Sequence, residues 1–201
     1  MATPLRLKIV ADAAEELDGR RRRSQDSRAR IVAAMLDLVH GGEMSPSAEQ
    51  VAERAEVGLR TVFRHFKDMD SLYGEMSKVI EAEVLKIVLQ PLAGKTWRER
   101  LAELVVRRSQ AFEKIAPYKR ASNASRHRSS FLEAGHTRLV NGLRLILKSE
   151  LPPEVAADRL TLEALDLMMS YEAWSRLRSE QGLTVRRARE VLQAAIARLI
   201  A

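Results

Sequence analysis

The chain has no cysteine in its 201 residues. That excludes disulfides, thiolate zinc sites and cysteine nucleophiles, and it is compatible with a reducing compartment. Glycine and proline are scarce, at nine and six residues, and Phe, Tyr and Trp together make up 4%. With Ala, Leu, Glu and Arg abundant, this composition favours an all-α fold over a sheet. No apolar run reaches about 18 residues, the length a helix needs to cross a bilayer. The N-terminal stretch MATPLRLKIVADAAEEL acquires acidic residues too early for a secretory signal. We therefore expect a soluble cytoplasmic protein that makes no use of a membrane. No Walker loop, G-x-S-x-G elbow or dinucleotide fingerprint occurs, so neither an enzyme nor a cofactor is expected. Glu133 and His136 have the E-x-x-H spacing that places two metal ligands on one helix face, but such sites need a second copy and none exists. No metal is expected.

What the chain does have is apolar residues and charge. A hydrophobic fraction of 46% is enough for a sizeable core in one or two domains. The net charge of +7 is unevenly spread. Residues 1–90 carry 14 Lys and Arg against 15 Asp and Glu, whereas residues 91–201 carry 20 against 12. The overall charge is thus no argument for a nucleic-acid partner. A local cluster is: Arg20, Arg21, Arg22, Arg23, Arg28 and Arg30 stand against Asp26 alone. Such an arm can follow phosphates or enter a minor groove, or it can be a basic tail that aids solubility. Before it, Leu5, Ile9, Ala13 and Leu17 recur at the spacing of a short amphipathic helix.

The segment from Ser45 to Leu72 reads as two short helices joined by a tight turn. Ser47 followed by Gln50 has the form of a capping box, and Val51, Ala52 and Ala55 recur at helical spacing. Glu56-Val57-Gly58 breaks that pattern, with Val57 as the expected buried plug and Gly58 relieving the backbone or capping the second helix. From Leu59 to Phe66, the residues Val62, Phe63 and Phe66 form an expected inward stripe, leaving Arg60, Thr61, Arg64 and His65 on the remaining arc. A helix with that outer face can lie in a major groove. It can equally be a solvated helical hairpin. A helix from about Ser27 to His40 precedes this pair, and a long helix capped by Asp68 or Asp70 comes after it.

The string VAERAEVGLRTVFRHFKDMDSL, preceded by SRARIVAAMLDLVHGG, resembles the DNA-binding signature of the tetracycline-repressor (TetR) family. In that family a helix ending Ala-Gly-Val-Ser is followed by Thr-Leu-Tyr-x-His/Tyr-Phe and a Lys-containing start to the next helix. Three positions depart from the pattern: Glu56 replaces the usual Gly, Phe63 the usual Tyr, and Met69 a frequent Lys. The resemblance covers about a third of the chain. It implies an N-terminal three-helix helix-turn-helix domain and a C-terminal helical domain for ligand binding and dimerisation. The expected boundaries are a basic extension over 1–23, a DNA-binding domain over 24–72, a linking helix over 73–94, and an effector and dimerisation domain over 95–201. The linking helix would serve as a rigid carrier of conformational change. On DNA, Arg60, Thr61 and Arg64 are expected in the major groove and Ser47, His65 and Lys67 on phosphates. Phe63 is expected to be partly buried and Arg28 to belong to the basic arm.

In the second half, helices are expected over about Trp97 to Ile115, from Ser129 or Ser130 to Pro152, over about Thr161 to Ser179, and from Thr184 onward. Pro117 should open a separate polar segment. The last two helices are apolar around much of their circumference, and the resemblance assigns such a pair to a dimer bundle. The expected interface is Leu165, Met169, Trp174, Leu177, Val191, Ala195, Ile196 and Leu199. A ligand chamber among the helices would involve Leu101, Leu104, Arg108, Phe112, Tyr118, His127, Phe131 and Met168. Arg107, Arg108, Lys114, Lys119, Arg120, Arg126 and Arg128 crowd this region against Glu113 alone. Facing inward they would favour an anionic effector, but Lys and Arg are rarely buried without partners, so a surface position is preferred. The reading is a homodimeric transcriptional regulator, most often a repressor in such families, bound to palindromic double-stranded operator DNA and released by a small molecule. The alternative is a helical scaffold that binds protein or RNA.

Overall fold

A computed structural model describes residue 22 and residues 24–201 of the chain. The expected N-terminal amphipathic helix and Arg20, Arg21 and Arg23 lie outside the described residues. As expected, the fold is all-α, and no strand occurs among the described residues. The chain divides into two compact units, one ending at Met76 and the other spanning Ser77–Ala201.

The first unit contains α1 (24–40), α2 (Ala48–Arg54), α3 (Leu59–His65) and the opening of α4 (Met69–Val88). Its core is formed by Ile31, Met35 and Val39 of α1, Val51 and Ala52 of α2, Val62 and Phe66 at α3, and Leu72 and Met76 of α4. Local chemistry starts each helix. The Ser47–Gln50 capping box is present in full, and Asp68 accepts the Ser71 N–H at 2.8 Å ahead of α4.

The turn between α2 and α3 is a Schellman closure. Val57 N–H donates to Ala52 O and Glu56 N–H to Glu53 O, both at 3.0 Å, and Glu56 takes the left-handed conformation at φ 52°. The usual Gly at this place relieves strain that Glu56 bears. Gly58 is the N-cap of α3, as one of the two expected roles has it, in an ordinary extended conformation at φ −68°. Val57, expected as a buried plug, is only half-buried.

The second unit contains the rest of α4, α5 (Trp97–Ser125), a 3₁₀ turn (Arg126–Arg128), α6 (Ser130–Glu150), α7 (Pro153–Ala157), α8 (Arg159–Met168), α9 (Tyr171–Ser175), a π turn (Arg176–Glu180) and α10 (Val185–Leu199). Two expectations fail here. Pro117 does not open a new segment but sits inside α5. The single helix expected over Thr161 to Ser179 is broken after Met168, because Ser170 takes the extended conformation of an N-cap and its hydroxyl accepts the Ala173 N–H. Past the break, Glu113 of α5 accepts from Trp174 Nε1 at 2.8 Å and Arg178 Nε at 2.9 Å, which pins the π turn.

Candidate functional site

Helix α3 has one buried residue, Val62. At 100° per residue, Arg60 and Arg64 fall on the arc opposite it and Phe63 at its edge, Lys67 comes just past the end of α3, beyond the extended Phe66, and all four are exposed. None of these three cations makes an ion pair with any described residue. The exposed surface therefore offers two guanidinium groups and one ammonium to a partner outside the unit. Thr61 lies at the edge of the arc, half-buried.

Two of the side chains expected here are placed otherwise. Phe63 is 48% exposed, so it leaves the inward stripe and joins the cationic arc. His65 falls on the flank nearer Val62, and its Nε2 is buried without a hydrogen-bond partner. Burial, then Arg64 and Arg28, lowers its pKa. The buried Nε2 is withdrawn from any phosphate, which leaves Nδ1 as the one ring nitrogen with which His65 could play the role expected from sequence. Ser47 Oγ accepts the Gln50 N–H as the cap of α2, and its hydroxyl is also bonded to the Glu49 carboxylate.

The basic arm is also partly used up within the unit. Arg28, expected on DNA, donates to the His65 carbonyl at 2.9 Å, pairs with Glu75 at 3.3 Å and lies 4.4 Å from the Phe66 ring centroid. That carbonyl is one of those left without an intrahelical partner at the end of α3. Arg30 donates to the Ala55 carbonyl and, at 2.9 Å, to the Glu56 carbonyl. Two arginines of α1 thus clamp the ends of α2 and α3, and so hold the exposed arc in place. Their role had a sequence signal only in hindsight: each partner carbonyl closes a short helix.

In the second unit the residues expected to line a ligand chamber differ in burial. Leu101, Leu104, Arg108 and Phe112 are buried, Tyr118 and Met168 are half-buried, and His127 and Phe131 are exposed. The basic cluster expected on the surface is divided: Arg108 and Lys119 are buried, whereas Lys114 and Arg120 face solvent. A small cavity of about 10 Å³ lies among Arg108, Ser109, Phe112, Met169, Ser170 and Trp174. A more open groove of about 120 Å³ runs between α5 and α10, lined by Ala102, Val105, Gln193 and Ile196.

The expected dimer residues are mostly used inside the chain. Leu165, Met169, Trp174, Leu177 and Ile196 belong to the core of the second unit, Val191 and Ala195 are half-buried, and Leu199 is 38% exposed. Their apolar character reflects intrachain packing around the α8–α9 break. The apolar residues that α8 leaves uncovered are Leu160 and Leu167, 84% and 68% exposed.

No protein-family model and no curated protein matches this chain. Solved structures do. A transcriptional regulator from Rhodococcus sp. Rha1 superposes with TM-score 0.68 at 18% identity, covering 86% of this chain and 95% of that one. A TetR transcriptional regulator from Rhodococcus sp. RHA1 gives 0.58 at 17% identity, covering 88% and 96%. The multidrug binding protein EbrR, solved with ethidium, gives 0.61 at 20% identity, covering 86% and 97%. The chain has the fold of TetR-type transcriptional regulators.

Proposed function

We propose that this chain is a sequence-specific DNA-binding transcriptional regulator whose first unit reads duplex DNA with α3 and whose second unit senses a small molecule. The observation that carries the reading is the cluster of Arg60, Phe63, Arg64 and Lys67: two unpaired arginines and an exposed aromatic ring on a helix that comes directly after a tight turn, with an unpaired lysine just past its end. Arg60 and Arg64 have the donors for guanine edges, Phe63 an apolar surface for a thymine methyl, and Lys67 a charge for phosphate. The fold shared with transcriptional regulators supports the same reading. A homodimer on a palindromic operator, repression, and release by an effector complete the proposal. In the dimer, the exposed Leu160 and Leu167 of α8 take the place of the core residues first expected there. Leu160→Glu with Leu167→Glu should then convert the dimer into a folded monomer on sedimentation.

Selection of bound duplexes from a random pool tests the reading directly. A recovered palindrome with half-sites about 34–36 Å apart is the expected result. Equal affinity for all duplexes and for RNA would instead favour the scaffold reading. An effector that lowers operator affinity by about 5- to 150-fold must itself bind more weakly by the same factor when operator is present.

A further inference from the structure

The interior of the second unit contains two cations, Arg108 and Lys119, only 2% and 6% exposed, and no buried carboxylate among the described residues. Both lie on one face of α5 with Phe112 and Ile115 between them, about 16 Å apart along the helix axis. A buried charge without a counter-charge is costly, so each needs an explanation.

Lys119 has one. Its Nζ lies 2.9 Å from His136 Nδ1 and 5.2 Å from the centroid of the Tyr171 ring, so an imidazole and a π face take up its charge.

Arg108 is only partly accounted for. Nη1 donates to the Met169 carbonyl at 2.9 Å and Nη2 to the Leu143 carbonyl, but Nε is buried with no partner. Both acceptors are neutral. The nearest anionic influence is Asp166, whose carboxylate is already bonded to Arg144 at 2.8 Å. Burial draws the Arg108 pKa down to about 10, so the group remains a cation at neutral pH. Around it, the small cavity presents Ser109 and Ser170 as polar neighbours and Phe112 and Trp174 as apolar walls.

We infer that this cavity is the charged end of a binding site for an organic carboxylate with an apolar body, paired to Arg108 and seated against Phe112 and Trp174. The inference rests on reading the second unit as effector-sensing, and names the chemical class of the effector. At about 10 Å³ the cavity has room for no more than one water. Binding therefore has to open it. The wall that can give way is the break between α8 and α9, where the extended Ser170 interrupts the helix. A carboxylate that accepts from Nε and from Nη2 on the same edge replaces the neutral Leu143 carbonyl with an anion in fork geometry, while Nη1 keeps the Met169 carbonyl. The ligand thus competes for the bond that ties α5 to Leu143 of α6, which couples occupancy to the packing of α5 on α6.

The test uses the full chain carrying Trp97→Phe, which leaves Trp174 as its sole tryptophan. Octanoate and benzoate are titrated at constant ionic strength against their neutral counterparts octanamide and benzamide, followed by Trp174 emission and calorimetry. At least one carboxylate should bind saturably, shift the emission, and do so about tenfold or more tightly than its amide. Arg108→Gln should bring the pair within about twofold. Equal binding of acid and amide, no binding by either acid, or a preference that survives in Arg108→Gln would overturn the inference. If Arg108→Gln does not fold, Arg108→Lys replaces it: the charge remains, the fork is lost, and the preference should shrink at least about threefold. Duplex selection by the same protein separates the two claims. A recovered operator with no carboxylate preference rejects only the effector class, whereas carboxylate binding without any operator rejects the regulator and leaves the site.

Discussion

The two units treat positive charge in opposite ways. In the first, the cations of α3 are exposed and unpaired, while Arg28 and Arg30 of α1 are bound to carbonyls and to Glu75. In the second, the surface cations are mostly paired, as Lys114 is with Glu83, Arg144 with Glu163 and Asp166, and Arg178 with Glu113, while Arg108 and Lys119 are buried without a carboxylate. The net charge lies in the second half, yet the surface suited to a polyanion lies in the nearly neutral first half. Binding capacity thus depends on which cations have no internal partner, and a count of Lys and Arg does not report that.

The comparison is broken most severely by Trp174→Glu. It removes the Trp174 Nε1–Glu113 bond and places a second carboxylate beside Glu113 in a site 2% exposed. A loss of about 3–5 kcal/mol from the stability of the second unit is expected in urea melts. A stable monomer would return Trp174 to the dimer interface. Next come the free cations at α3. Arg60→Ala should cost about 1–3 kcal/mol in operator binding and relax preference at one base position. Lys67→Ala should weaken all duplexes alike and flatten the salt slope by about one unit. Neither change should shift the melting temperature, since neither side chain has an internal partner. Unchanged operator affinity in both would leave α3 as a solvated helix.

A smaller effect sharpens the contrast at the turn. Glu56→Gly should stabilise the first unit by about 1 kcal/mol, since the left-handed conformation costs a non-glycine residue that order of energy. The Arg30 bond to the residue 56 carbonyl survives the change because it is a backbone contact. Loss of stability would mean that the Glu56 side chain contributes more than its backbone strain costs.

The smallest expected effect is on pH. Burial, followed by the charges of Lys119 and Arg126, lowers the His136 pKa against the opposing pull of Glu172 and Glu133. A histidine whose folded pKa is depressed favours the folded state above its unfolded value of about 6.5, and that stability is lost as pH falls below it. Urea midpoints of the second unit should therefore fall between about pH 7.5 and about pH 5.5, and His136→Gln should flatten the dependence. His65 is lowered in the same direction and should act likewise on the first unit.

Much of the fold was legible in the residues alone. The all-α class, the Ser47–Gln50 box, the cap at Ser129 and the cap at Thr184 all derive from residues within three positions of one another. The exposure of Arg60 and Arg64 comes from the helical period once Val62 faces inward. Phe63 is partly buried as expected but does not belong to the inward stripe, and His65 turns Nε2 inward, because both flank Val62 and periodicity alone does not decide which flank the rest of the unit covers.

The sequence by itself determined the helices, most of their caps and the helix that presents free cations, because these depend on local hydrogen bonds and on a 3.6-residue period. Only the tertiary structure decided which arginines are spent inside the protein, where the α8–α9 break falls, and that Trp174 belongs to the core. Those outcomes depend on partners far apart in the chain: Arg28 meets the carbonyl of a residue 37 positions away, and Arg108 one 61 positions away. A long, flexible cation is the same residue in the sequence whether it ends on water, on phosphate or on a buried carbonyl, and only packing determines which of these it reaches.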